Sequence, residues 1–295
     1  MTIEEARKKI VGSIVHIYDK NEANNIADLL MENITRLPRA ERILKKNETL
    51  SLSQKNSLSQ FIGRLQNHEP VQYIINEAWF AGMKFYIDKN VLIPRPETEE
   101  LIDWVIKEFR IQDLPVDSQS KEFRIIDVGT GSGCIAIALK KKLPHAEVWA
   151  CDVSEEALNV ARINADSLNA TVDFVPLDFL DKEQRKQLPH IDIVVSNPPY
   201  VPQKDKSEMK KIVIDHEPAI ALFAPDEEPL IFYSAIADFG KEKLNHGGSV
   251  YVEIHEEFGE QVKNLFHSKG YSSVELKKDL QGKNRMIKVS LESDK

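Results

Sequence analysis

Cysteine is nearly absent from this chain. Of 295 residues only Cys134 and Cys151 are cysteines, too few for a disulfide framework or a Cys-based zinc site. The eight histidines are scattered and form no H-x-x-x-H pair, so each reads as a surface or loop residue and no metal site is expected. Long apolar runs are missing as well. No stretch approaches a membrane span, and the start "MTIEEARKKI" lacks the apolar core of a signal peptide; the expectation is a cytoplasmic protein with no membrane partner. Nor is there an excess of positive charge. A net charge of -8 argues against stable direct binding of nucleic acid, which relies on clustered Lys and Arg. Residues 1–66 depart from that balance, with eleven Lys and Arg against eight Asp and Glu, a hint of a partner for this region. What is present, 42% hydrophobic and 29% charged residues, suits a globular chain of one large domain or two ordinary ones.

The first seventy residues read as helices. Ile3, Ala6, Ile10, Ile14 and Ile17 recur at helical spacing; Ile26, Leu29 and Leu30 continue it; Leu52, Leu58, Phe61, Ile62 and Leu65 close it. A small helical bundle is expected there, serving either as a packing module or as a substrate-docking arm. Residues 71–93 are rich in aromatic and β-branched side chains around Gly82, which suggests a hairpin. "PRPETEELIDWVIKEF" then starts a helix, with Pro96 at its first position and Glu97, Glu99 and Glu100 at the positive end of its dipole. Residues 111–121 look like a polar surface loop. From residue 123 strands and helices alternate, which predicts a mostly parallel sheet covered on both faces.

"IIDVGTGSGC" occupies the first strand-to-helix turn, with Gly129, Gly131 and Gly133 separated by Thr130 and Ser132. Glycines there allow a tight turn and close approach of the backbone to a ligand. Alone the pattern is weak, and a ligand-free turn competes with it. A dinucleotide fingerprint would want a small residue at 134, where Cys134 stands. Asp127, just before the glycines, is awkward beside a pyrophosphate but sensible beside a cationic amino group such as that of S-adenosylmethionine. Asp152 ends the second strand, where an acid can accept from both ribose hydroxyls or, alternatively, cap the next helix in place of Ser154. Asp178 and Phe179 end the third, positioned to accept from an adenine amino group and to pack on its ring. Three successive strand ends thus favour S-adenosylmethionine over a nicotinamide cofactor.

The fourth strand stops hard in "SNPPYVP". The two prolines fix the backbone and keep Asn197 out of the helical region. The Asn197 amide oxygen and the Pro198 carbonyl are two rigid acceptors suited to a planar NH2 group, with Tyr200 as a flat face for stacking. A proline-stiffened turn is the plainer explanation. With a delocalised lone pair on the target nitrogen, positioning matters more than a strong base. Adenine N6, cytosine N4 and a glutamine amide all present such a group; the acidic charge favours the protein amide.

Together, "EPVQYIINEAWFAGMKFYIDKNVLIPRPETEEL", "DVGTGSGC", "CDVS", "LDF", "SNPPYVP", "HEPAIAL" and "DLQGKNRMIKV" resemble the HemK-like protein N5-glutamine methyltransferases, in particular the bacterial release factor enzymes. The resemblance spans nearly the whole chain. It implies an α/β fold: a seven-stranded Rossmann-like class I S-adenosylmethionine-dependent methyltransferase domain over 96–295, preceded by a helical substrate-docking domain over 1–70 and a β-hairpin linker over 71–95. The activity implied is methylation of the glutamine in the GGQ motif of class I peptide chain release factors, with S-adenosylhomocysteine as product. Cofactor contacts would come from Asp127, Gly129, Thr130, Gly131, Ser132, Gly133, Asp152, Asp178, Phe179 and Asn197. The substrate glutamine would meet Asn197, Pro198, Pro199 and Tyr200, with Asn197, Pro198 and Tyr200 as the catalytic set. A sister activity on a ribosomal-protein glutamine shares these motifs, and nucleic-acid N6-adenine methylation shares "NPPY". Two departures stand out: Asn76 replaces the usual glycine, and "PDEEP" (225–229) replaces a glycine-rich segment. Glu217 and Arg285 match family positions, with a loop anchor and a hairpin charge as structural explanations; Arg95 and Glu97 are placed either to approach the pocket from the linker or simply to start a helix.

Overall fold

A computed structural model describes residues 1–111, 123–209 and 211–291, so the polar loop expected at 111–121 lies, apart from its first residue, outside the described residues. The chain divides into two compact units, residues 1–77 with 211–216, and residues 78–209 with 217–291.

The first unit is helical: α1 (Ile3–Ile14), α2 (Lys20–Thr35), α3 (Arg39–Leu44), α4 (Leu52–Gln66) and the single turn α5 (Val71–Ile75). Local chemistry starts these helices. Thr2 with Glu5 and Ser51 with Gln54 form reciprocal capping boxes on α1 and α4, and Asp19 caps α2 through the N–H groups of Asn21 and Glu22. Each such cap stabilises by about 1 kcal/mol. Ile3, Ala6, Ile10 and Ile14 of α1 pack with Ile26 and Leu30 of α2 and Leu58, Ile62 and Leu65 of α4 into one core. Leu52 and Leu29 do not join it, being 75% and 39% exposed. Leu52 opens α4, where the side chain clears the bundle.

The segment expected to begin the hairpin starts instead with α5. Pro70 precedes the turn, and Asn76 ends it at φ 54°, in the left-handed region. Asn tolerates that conformation better than other side-chain-bearing residues, which accounts for its standing where glycine is usual. The hairpin itself is β1 (Glu77–Phe80) and β2 (Met83–Tyr86), with Gly82 at φ 75° in its turn.

In the second unit α6 (Pro96–Ile111) leads to β3 (Arg124–Val128), α7 (Cys134–Lys142), β4 (Glu147–Asp152), α8 (Glu155–Ser167), β5 (Asp173–Pro176), α9 (Lys182–Arg185) and β6 (Ile191–Ser196). The short β7 (Val201–Pro202) pairs in parallel with β8 (Phe223–Ala224); between them in sequence come α10 (Lys211–His216), which belongs to the first unit, and α11 (Ala219–Leu222). Then come α12 (Ile231–Lys243), β9 (Leu244–Glu253), α13 (Gly259–Ser268), β10 (Ser273–Lys278) and β11 (Asn284–Ser290). Seven strands form one sheet in the order β10-β11-β9-β6-β3-β4-β5, parallel from β9 to β5. The last strand, β11, runs antiparallel between β9 and β10. Apolar strand residues such as Ile126, Val194, Val250 and Ile287 meet Ile236 and Phe239 of α12 and Phe266 of α13 in one core. The parallel strands place the carboxyl ends of β3, β4, β5, β6 and β9 at one rim, where open α/β sheets bind ligands.

Candidate active site

That rim carries a cavity of about 140 Å³. Its lining includes Gly129, Thr130, Gly131 and Ser132 from the turn after β3, Asp152 from β4, and Asp178 and Phe179 from beyond β5. Asn197, Pro198 and Pro199 line it from beyond β6, while Thr98 and Arg95 reach it from the start of α6. Asp127, Gly133 and Tyr200 are not among the lining residues.

The glycine turn is stitched to β4. Gly129 and Thr130 donate their N–H groups to the Cys151 carbonyl at 2.9 and 3.0 Å, and Gly131 donates to Asp152 Oδ2 at 2.8 Å. A Cβ on Gly131 would meet nothing within 4 Å, so this glycine leaves open space at the cavity wall. Gly133 serves packing. A Cβ there would stand 3.0 Å from both Ala161 Cβ and Ile137 Cδ1, blocking the approach of α7 to α8.

The acids differ in their surroundings. Asp127 is fully buried; its Oδ2 accepts from Thr130 Oγ1 at 2.6 Å and from the Ala136 N–H at 3.2 Å, whereas Oδ1 has no hydrogen-bond partner. Burial raises its pKa to about 7 against the pull of those two donors. Asp152 accepts the Ser154 N–H on Oδ1 at 2.9 Å, and burial raises its pKa also. Ser154, not Asp152, caps α8 through the Ala157 N–H. The Asp152 carboxylate thus accepts from the backbone N–H groups of Ser154, Gly131 and Val153, and with about four lone-pair sites it keeps further acceptor capacity. Asp178 is exposed and accepts from the Leu180 N–H at 2.9 Å. Phe179 is buried edge-on to Phe239, with the Arg185 guanidinium 5.5 Å from its ring centre.

Past β6 the two prolines separate two differently placed side chains. Asn197 lies half-buried at the cavity and donates its Nδ2 to Thr98 Oγ1 at 3.1 Å. Tyr200 turns its hydroxyl to Glu253, donating to Oε1 at 3.1 Å, and its ring meets the His255 ring at 6.0 Å between centres. Burial, with the Glu253 charge beside it, raises the Tyr200 pKa, so the hydroxyl keeps its proton.

Residues 108–218 match the family model described as Methyltransferase small domain, and residues 17–75 match that described as PrmC N-terminal domain. A release factor glutamine methyltransferase of Flavobacterium psychrophilum is 38% identical over 290 residues, covering 98% of this chain and 99% of the relative. One of Bacteroides thetaiotaomicron is 40% identical, over 93% of this chain and 95% of its own. The chain belongs to the release factor glutamine methyltransferase family. Its fold also matches the solved hMettl16 catalytic domain in complex with a 3′UTR hairpin, with a TM-score of 0.55 at 16% identity, over 83% of this chain and 84% of that one. The likeness confirms a methyltransferase fold.

In this member of the release factor glutamine methyltransferase family, sequence reasoning missed two buried residues. Thr98, 2% exposed, donates its hydroxyl to Glu253 Oε2 at 2.6 Å; Glu253 is 1% exposed at the end of β9. A glutamate closing the apolar strand "SVYVEI" on the rim that carries the cavity was the available signal. Glu217 proves to be a loop anchor: both its oxygens accept from Arg95 Nη2, at 2.6 and 2.7 Å, and Oε2 accepts the Ile93 N–H at 3.2 Å. Arg285 pairs with Asp279 at 3.1 Å, within the β10–β11 hairpin. Glu97 lies 3.5 Å from Gln281 Nε2.

Proposed function

We propose that this chain transfers a methyl group from S-adenosylmethionine to the side-chain amide nitrogen of the GGQ glutamine in a class I release factor, leaving S-adenosylhomocysteine and releasing one amide proton, lost late to solvent or a nearby acceptor. One observation carries the reading: the glycine turn with Asp152 and the Asn197–Pro199 run line the same cavity. The residues present suit the cofactor. Open space beside Gly131 admits a close ligand, and Asp152 retains acceptor capacity toward ribose hydroxyls. When bound, S-adenosylmethionine supplies an electrophilic methyl group on a sulfonium.

The rest is positioning by the chain's own groups. Asn197 Oδ1 and the Pro198 carbonyl accept the two amide hydrogens of the glutamine and orient its nitrogen toward the methyl donor. Pro199 stiffens the loop, and Tyr200 braces it through Glu253. Alignment of this kind is worth roughly 7–11 kcal/mol of barrier, which suits a weak nucleophile with no strong base nearby. The helical residues 1–70 hold the release factor, 71–95 link, and 96–295 carry out the transfer in the cytoplasm. No described helix is long and apolar enough to cross a membrane.

The test offers methyl-labelled S-adenosylmethionine and the purified chain to an unmethylated class I release factor, to ribosomal proteins and to a DNA duplex, with the label located by peptide mass spectrometry. Label on the GGQ glutamine, lost in a GGA variant, is expected. Label only on a ribosomal protein or on DNA would overturn the choice of substrate.

A further inference from the structure

We infer that Thr98 and Glu253 are positioning residues that set the direction of the Asn197 amide, turning its oxygen toward the substrate. The inference rests on the amide-site reading above and adds to it a reason why Asn197 faces the right way. An asparagine side chain has an accepting end and a donating end of nearly the same shape. A half-turn of the amide would present NH2 to the substrate's NH2, and the site would repel what it is built to hold.

The choice is made one step behind the site. Thr98 Oγ1 donates the one hydroxyl hydrogen it possesses to Glu253 Oε2 at 2.6 Å, the direction an ionised Glu253 enforces because a carboxylate has no proton to give. Thr98 is left with lone pairs alone to offer Asn197, 3.1 Å away. Only the NH2 end of the amide satisfies them, which turns Oδ1 away from Thr98. The other carboxylate oxygen accepts from the Tyr200 hydroxyl at 3.1 Å. One buried carboxyl group therefore holds both residues that flank the two prolines, Tyr200 directly and Asn197 through Thr98. Around it stand Thr98 and Glu97 of α6, Tyr200 of the loop and Arg285 of β11, and the Tyr233 hydroxyl of α12 donates to the Glu253 backbone carbonyl at 3.1 Å. Arg285 is engaged by Asp279, leaving the two hydroxyls as the hydrogen-bond donors to the carboxylate.

The experiment compares the whole wild-type chain with Thr98→Val, which keeps the shape and removes the hydroxyl, and with Thr98→Ser, which restores it. Readouts are kcat and KM for the release factor, S-adenosylmethionine affinity by calorimetry, and the unfolding midpoint. Thr98→Val is expected to lose about 10²-fold in kcat, with cofactor affinity within about threefold of wild type and Thr98→Ser within about threefold in kcat. A Thr98→Val enzyme with wild-type kcat overturns the inference, as does a Thr98→Ser enzyme equally impaired, or a cofactor affinity that falls in step with kcat. Should Thr98→Val not fold, Thr98→Ala makes the same hydroxyl deletion without the branched side chain and is read by the same criteria. Failure of the wild-type chain to label any release factor is a separate result: it removes the proposed function, and this inference with it.

Discussion

Gly131 and Gly133 stand two residues apart with left-handed backbones, at φ 52° and 79°, yet an alanine should act differently at each. At either position a Cβ in that region costs about 1–2 kcal/mol. At Gly133 the Cβ also lands 3.0 Å from Ala161 Cβ and Ile137 Cδ1 and 3.3 Å from the Ala161 backbone, and such overpacking adds about 1–3 kcal/mol. Gly133→Ala is therefore expected to destabilise by about 2–5 kcal/mol, and Gly131→Ala by only about 1–2 kcal/mol. Ligand affinity should invert the order. The new methyl at Gly131 enters space beside the cavity, so S-adenosylmethionine binding should weaken by about tenfold or more, while folded Gly133→Ala should bind nearly as wild type. Urea unfolding followed by circular dichroism reads the first quantity and calorimetry the second. Equal stability losses in the two variants would refute the packing argument, and unchanged affinity in Gly131→Ala would refute the placement of the ligand.

Asn197→Ala should nearly abolish transfer while leaving most cofactor affinity, whereas Asp152→Ala should weaken cofactor binding first; equal affinity losses by calorimetry would count against both roles. Burial raises the Glu253 pKa, opposed by Thr98, Tyr200 and Arg285 and aided by Glu97. The ionised form that accepts from Thr98 exists above that raised value, so kcat should fall as pH drops through it, starting above the ordinary glutamate value of 4.5. A profile flat down to 4.5 would refute this. The Asp127 pKa is also raised, to about 7, but here the consequence runs the other way: the folded state holds that proton more tightly, so wild-type stability should decline as pH rises from about 4 to 7 relative to Asp127→Asn, as urea midpoints at several pH values would register. Arg95→Ala strips the 2%-exposed Glu217 of both charge-assisted contacts; with Arg95 itself 33% exposed, a loss of about 2 kcal/mol is expected in urea unfolding, largely restored by adding Glu217→Gln.

What the sequence disclosed follows from how locally each feature is determined. The strand-helix rhythm from β3 onward and the glycine turn depend on neighbours a few residues apart, and they were legible. The helix α5 was not: Val71, Tyr73 and Ile74 carry β-forming side chains, but Pro70 before them and the left-handed Asn76 after them close a helical turn. Thr98 reads in sequence as one more residue of a helix start, because its meaning lies in Asn197 and Glu253, 99 and 155 positions away. Tyr200 was read as a stacking face from its place in "NPPY"; its hydroxyl is held by a glutamate that no spacing rule connects to it. Glu217 could be read as a loop anchor but its partner could not, Arg95 lying 122 positions earlier.

The antiparallel insertion of β11 between β9 and β10 also has a consequence for order of synthesis. Met286 sits opposite Glu253 in the ladder, so the edge of β9 that bears this glutamate stays unpaired until the ribosome has added the residues of β11. A nascent chain that has already made the glycine turn, Asp152 and Asn197 still exposes a long apolar strand edge, the kind of edge that recruits other chains. Ribosomes stalled shortly before residue 284 should accordingly carry an aggregation-prone, incompletely closed sheet, and the carboxylate behind the amide site should become buried only once β11 has joined β9.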